Sequence, residues 1–183
     1  MKTGEFPSPS NYDLVILTGG TGDIVAEKPD EWIVATMQFI RDCHAQSTCK
    51  ILGICWGHQA VSRAMGGIIK EDQLGVYEIE LTEAGKSFFH RESINLHKFH
   101  RRRVLSTPPG FIALAERETF LSSTGRILTL QGHPEMDESV SKLLLTNDAG
   151  FYTRDNKEQF VERIEREHDG LDVFKVIMEW AVV

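Results

Sequence analysis

Cys55 ends the apolar run Ile51-Leu52-Gly53-Ile54 and is followed by Trp56 and Gly57. A thiolate is a strong nucleophile, and a sharp strand-to-helix turn lifts such a group above a sheet. Gly53 and Gly57 leave room for the tight backbone of that elbow. The N-terminus of the following helix favours an anionic sulfur. The N–H of Trp56, directly after the thiol, can donate to an oxyanion. A thiol nucleophile also needs a base, and the base needs an orienting group. Gln131-Gly132-His133-Pro134-Glu135 offers both after the apolar run from Ile127. His133 would then fall at a strand end, Pro134 would stiffen the turn, and Glu135 could reach back to fix the imidazole tautomer. Taken singly, a cysteine at a strand end is ordinarily a small buried hydrophobe, and His-Pro-Glu an ordinary turn. Two Gly-flanked turns, each after a strand, point together to a triad of Cys55, His133 and Glu135.

These residues need a frame. Tyr12 to Gly20 reads as a buried strand leading into a glycine loop. Pro29-Asp30 opens a helix, with Ile33, Met37 and Ile40 on one face. Cys49 to Cys55 is a second buried strand, and the helix from His58 closes at Gly66-Gly67. Strand, helix, strand, helix predicts a parallel sheet with helices on its faces. Val76 to Leu81 alternates apolar and acidic residues, as a strand with one wet face does. Ile94 to His100, Phe111 to Glu116, Glu118 to Ser123 and Arg126 to Glu135 also read as strands. Ser123-Thr124-Gly125 forms a hairpin turn between the last two. Toward the end, Val140, Leu143 and Leu144 mark one helix face, and Phe160 and Ile164 the next. Asp169-Gly170 then breaks a stripe that Leu171, Phe174 and Ile177 continue.

The chain has 183 residues, 41% of them hydrophobic, enough for the core of one domain spanning 1–183. A formal net charge of −7 argues against nucleic acid or an anionic membrane as partner. No stretch is long enough to span a bilayer, and the N-terminal residues lack the apolar core of a signal peptide. Cys43, Cys49 and Cys55 form no disulfide framework, which fits a reducing, cytoplasmic compartment.

Gly53-Ile54-Cys55-Trp56-Gly57-His58-Gln59 resembles the nucleophile motif of class I glutamine amidotransferases of the triad type. Gly132-His133-Pro134-Glu135 resembles their His-x-Glu motif, and Val15 to Gly20 their first glycine loop. The likeness runs from about Tyr12 to Glu135, in the same order, and points to stand-alone members similar to the glutaminase domain of GMP synthase, including plant γ-glutamyl peptidases and fungal amidotransferase-like proteins. It implies an α/β, three-layer, flavodoxin-like fold with a mostly parallel central sheet flanked by helices. It also implies that Cys55 attacks the γ-carboxamide of glutamine, forming a glutamyl thioester that water hydrolyses, with His133 moving the proton and Glu135 orienting His133. Backbone N–H groups of Gly20 (or Gly19) and Trp56 would hold the oxyanion; Gln59 and His100 would contact the substrate. The substrate is then a small γ-glutamyl compound, with no cofactor, and released ammonia would pass to a synthase partner in trans or to water. A γ-glutamyl peptidase and a non-catalytic amidotransferase-like binding protein are the alternatives.

The chain departs from the family pattern twice. The family's first strand and helix have no counterpart before Tyr12, so the domain is expected to be N-terminally short, with an exposed sheet edge. His100 to Val104 matches a His-x-Asp-x-Val stretch except that Arg102 replaces the Asp. That leaves the family's usual contacts with substrate or partner in question here. The basic run from His97 to Arg103 reads first as a solvated surface, and second as a contact for a phosphate, an acidic substrate or a partner. His97 and His100 lack companions at metal-ligand spacing, so no metal is assigned. Thr18 to Gly22 lacks the Lys-Ser/Thr ending of a phosphate loop. Cys43 and Cys49 read as structural, and Trp32 and Trp180 as packing helices onto the sheet.

Overall fold

The computed structural model describes residues 6–46, 48–71, 78–148 and 157–183. After a short 3₁₀ turn at Pro9–Asn11, the elements run β1 (Leu14–Leu17), α1 (Glu31–Gln46), β2 (Lys50–Ile54), α2 (Trp56–Ala64), β3 (Ile69–Glu71) and β4 (Glu78–Glu80). Then follow α3 (Glu83–Phe89), β5 (Ser93–Asn95), β6 (Arg102–Val104), β7 (Phe111–Ala115), β8 (Thr119–Ser122) and β9 (Ile127–Leu130). Helices α4 (Glu138–Thr146), α5 (Lys157–Ile164) and α6 (Gly170–Val182) complete the order.

The central sheet has the order β1-β2-β9-β8-β7. Its first three strands are parallel, so they all end at the same edge. Strands β8 and β9 form the expected antiparallel hairpin, whose turn ends at Gly125 with φ +70°. Two small antiparallel pairs, β3–β6 and β4–β5, stand apart from this sheet.

Alternation along the buried strands builds two cores. Ile51 and Ile127 face α1 and α2, packing with Ile33, Met37, Ile40, Val61 and the partly buried Trp32. Leu52, Ile54, Leu128 and Leu130 face the other way, against Phe89 of α3, Val173 and Ile177 of α6, and the partly buried Trp180. Each such side chain contributes about 1.5–3 kcal/mol on leaving water. The result is the three-layer, mostly parallel α/β arrangement. Strand β1 lies at the sheet edge, with Ile16 49% exposed. Cys43 and Cys49 are buried free thiols, and burial pushes the Cys43 thiol up to about 11.

Three expectations need correction, and one element is new. Ile94 to His100 is not a strand: β5 stops at Asn95, and Leu96, His97, Lys98 and Phe99 are all buried, which a one-faced strand cannot achieve. Val140, Leu143 and Leu144 point outward, because α4 packs through Ser141 and Leu145 toward Phe160 and Ile164. Leu171 is exposed, and α6 instead buries Val173 and Ile177, with Phe174 half-buried. Helix α3 was not foreseen; Thr82 caps it by accepting from the Gly85 N–H at 3.1 Å. The predicted strand at Val76 to Leu81 retains β4, while Val76 and Tyr77 lie outside the described residues.

Candidate active site

The parallel register delivers the chemistry to one edge. Ile54 of β2 pairs with Leu130 of β9, and Leu17 of β1 pairs with Gly53. The glycine loop, Cys55 and the Gln131-to-Glu135 turn therefore leave the sheet side by side, at the carboxyl ends of its strands, where open α/β sheets bind ligands. The Cys55 N–H donates to the Leu130 carbonyl at 2.9 Å, tying the elbow to the neighbouring strand.

Cys55 has φ 53° and ψ −104°, a left-handed, strained conformation for a residue with a Cβ. This single residue turns the chain from β2 into α2. The turn is possible only with bare backbone around it. A Cβ on Gly57 would stand 2.1 Å from the Leu17 carbonyl oxygen, and one on Gly53 would stand 2.8 Å from the Gly57 oxygen. Trp56, as the first residue of α2, has an N–H with no acceptor inside the helix. Its indole donates to the Gly22 carbonyl at 2.9 Å and lies 5.1 Å from the Trp32 ring, which pins the glycine loop beside the elbow.

His133 arrives from β9. Its N–H donates to the His97 carbonyl at 2.8 Å, an isolated bridge that fixes the turn. Its ring Nδ1 lies 2.7 Å from Glu135 Oε1. With the proton on Nδ1 donated to that carboxylate, Nε2 is left for the thiol. Nε2 is buried and makes no hydrogen bond of good geometry. A Cβ on Gly19 would lie 3.2 Å from His133 Cε1 and 3.8 Å from Cys55 Cβ, so the glycine loop, the ring and the thiol pack against one another. Burial disfavours the charged imidazole, but Cys55 and Glu135 together outweigh it and hold His133 at about 9. The charged imidazolium is thus favoured at this position.

His58, on α2, offers no alternative base. Burial pulls it down to about 3, its Nδ1 lies 2.9 Å from Thr129 Oγ1, and its ring stacks on Phe120. His97 is also pulled down, to about 4, by burial and by His168, on which it packs edge-on at 4.5 Å. Among the described residues no group of three His, Cys, Asp or Glu side chains comes together to hold a metal.

The remaining predicted residues lie close by, with one difference. Cys55 is not lifted into the open: it is only 5% exposed, and its Sγ donates to the Phe99 carbonyl at 3.6 Å. The cover is the 99–102 segment. Gln59 and His100 line the same small cavity as Cys55, but both are engaged with that cover. Gln59 Nε2 donates to the Arg102 carbonyl at 2.9 Å and to Gln131 Oε1 at 3.1 Å, while His100 Nδ1 lies 2.9 Å from the Arg102 carbonyl. Arg102 reaches across to the glycine loop, donating to the Gly22 carbonyl at 3.2 Å and pairing with Asp23 at 2.9 Å. Sequence reasoning registered Arg102 only as a departure; its reversed charge, where an Asp is usual, was the available signal. The Phe99 and His97 carbonyls had no signal at all, because backbone contacts carry no side-chain signature.

The fold is thus a mostly parallel α/β sheet that sets a strained cysteine elbow beside a carboxylate-anchored histidine at the next strand end. Comparison gives the family. Residues 2–150 match the family model of class-I glutamine amidotransferases, and the chain belongs to that family. It is 37% identical over 181 residues to the glutamine amidotransferase-like protein chry6 of Gibberella zeae, covering 96% of this chain and 75% of that protein. It is 30% identical over 190 residues to γ-glutamyl peptidase 2 of Arabidopsis thaliana, covering 94% and 72%. A crystal structure of a glutamine amidotransferase from Thermotoga maritima superposes with a TM-score of 0.73 at 20% identity, covering 94% of this chain and 79% of the other. Among the described residues no helix is long and apolar enough to cross a membrane.

Proposed function

We propose that the protein hydrolyses the γ-glutamyl amide bond of glutamine through Cys55, His133 and Glu135. The sulfur of Cys55 attacks the γ-carbonyl carbon, a C–S bond forms, and the carbonyl electron pair moves onto oxygen. The N–H groups of Trp56 and of Gly20 or Gly19 donate to that oxyanion, where removing one donor typically costs about 3 kcal/mol. The imidazolium of His133 gives its Nε2 proton to the leaving nitrogen, the C–N bond breaks, and ammonia departs. The now neutral ring takes a proton from water, whose oxygen attacks the thioester. The C–S bond breaks, glutamate leaves, and the thiolate–imidazolium pair returns. Glu135 keeps the tautomer and stabilises the charged ring throughout.

The observation that carries this reading is the left-handed Cys55 at the end of β2, set beside a His133–Glu135 pair 2.7 Å apart at the end of β9. Ammonia would leave to water or to a synthase in trans. A second reading, cleavage of γ-glutamyl peptides, uses the same steps with an amine as leaving group. It is favoured by the likeness to γ-glutamyl peptidase 2 and by the basic residues at the site mouth. The test is glutamate release by the purified protein from glutamine and from γ-glutamyl dipeptides. The reading expects release from at least one of them, and loss of it in Cys55→Ala. Release that survives in Cys55→Ala, or none from either substrate, contradicts it.

A further inference from the structure

The cavity at Cys55 measures only about 20 Å³, room for one water and far too small for an amino acid. Its cover must therefore move before any substrate binds, and what the cover exposes on moving will meet the substrate. Among the described residues lining this cavity, His100, Arg101 and Arg102 bring positive or neutral charge, and none brings a carboxylate. This contrasts with a chain of net charge −7.

Arg102 is held at both its base and its tip. Its backbone carbonyl is gripped by Gln59 and lies within bonding distance of His100, so its base is anchored to the elbow helix. Its side chain is 14% exposed, yet its ionic partner Asp23 is 58% exposed. Its Nε is buried with no acceptor. A guanidinium presents five N–H donors in a planar fork suited to a carboxylate, and a buried donor left unpaired is costly. An exposed ion pair, by contrast, is worth little.

We infer that Arg102 is a specificity residue that gives up Asp23 and the Gly22 carbonyl to bind a carboxylate of the substrate, so that opening of the cover and recognition of an anionic substrate are one event. This rests on the γ-glutamyl reading above. The carboxylate has two sources: the α-carboxylate of the glutamyl group, or the C-terminal carboxylate of a peptide leaving group.

Two substrate pairs separate these sources. One is γ-glutamyl-glycine against its C-terminal amide; the other is γ-glutamyl-p-nitroanilide against its α-carboxamide. The readout is the acid-to-amide ratio of kcat/KM, which cancels any general loss of folding or chemistry. Arg102→Met is expected to lower that ratio about 10- to 100-fold in the pair whose carboxylate it binds. Arg102→Lys should retain part of the preference, since it keeps the charge and loses the fork. Asp23→Asn should raise the ratio a few-fold by releasing Arg102. Ratios unchanged by Arg102→Met in both pairs overturn the inference, and an unchanged or lower ratio in Asp23→Asn overturns the exchange. If no γ-glutamyl compound is hydrolysed, the function fails but this inference is still decided by alkylation of Cys55. Iodoacetate should be favoured over iodoacetamide about tenfold more in wild type than in Arg102→Met, and an equal preference in both proteins overturns it.

Discussion

The two ends of the central sheet are built for different ends. At the amino ends of β2 and β9 lies the larger cavity, about 520 Å³, lined by Lys50, Phe88, Arg126 and Trp180. The left-handed non-glycine residue there, His90 at φ 55° and ψ 38°, is the C-cap of α3, where a helix ordinarily ends in that conformation. Lys50 donates to the Trp180 carbonyl, its ammonium sits 5.3 Å over the Trp180 ring, and the Trp180 indole donates to the Gly125 carbonyl at 2.7 Å. At the carboxyl ends the cavity at Cys55 is about 26-fold smaller, yet around it lie the left-handed Cys55, the His133–Glu135 pair and an unpaired Arg102 donor. Strain and unmet hydrogen bonds gather around Cys55, where the proposed chemistry would use them. Cavity size alone would point to the end opposite the proposed site.

Substitutions at the two ends should separate activity from stability. The largest effect is expected for Cys55→Ala, with γ-glutamyl hydrolysis falling by at least about 10⁴-fold while the protein stays folded by circular dichroism. Trp180→Ala should do the reverse, costing about 3 kcal/mol and lowering Tm by roughly 6–12 °C in a thermal scan, with kcat/KM kept at 25 °C. Glu135→Gln belongs to the Cys55 end: kcat should fall roughly 100-fold. Its pH profile should move as well. Hydrolysis needs His133 protonated to release the leaving group, so the rate should decline as pH rises through about 9. Removing the Glu135 charge takes away one of the influences that hold His133 up, so that decline should begin at lower pH in the variant. The smallest effect measures the strain itself. Cys55→Gly should be more stable than Cys55→Ala by about 1 kcal/mol, because only glycine accepts φ 53° freely. An alanine variant of equal or greater stability would mean that the elbow stores no strain.

The Cys55 end was also the more legible one. The stretch from Ile51 to Gln59 announces its turn through an apolar run, two glycines and a polar-faced helix, and the structure turns at Cys55. Gln131 to Glu135 is short-range in the same way, since Glu135 reaches a ring two residues away. Apolar periodicity placed Ile33, Met37 and Ile40 inward correctly, because α1 has a whole sheet face to cover. It failed for α4, which meets the body mainly through Ser141 and Leu145 and leaves Val140 and Leu143 exposed. It failed again at Leu96 to Phe99, four consecutive buried residues held by the His97–His133 bridge rather than by any repeating pattern. Helix α3 hid because its apolar pair Phe88–Phe89 is adjacent and shows no helical spacing. The cover over Cys55 was illegible for a related reason: it is assembled from backbone carbonyls and from Arg102 and Asp23, which lie far apart in the chain.

The account turns on a covalent bond between Cys55 and a γ-glutamyl carbon. Acid quench of the protein during turnover of γ-glutamyl-p-nitroanilide, followed by peptide mass spectrometry, reads that bond directly. The account predicts one glutamyl group on the peptide carrying Cys55 and none on those carrying Cys43 or Cys49. Product accumulating while the Cys55 peptide stays unmodified at every quench time would contradict it.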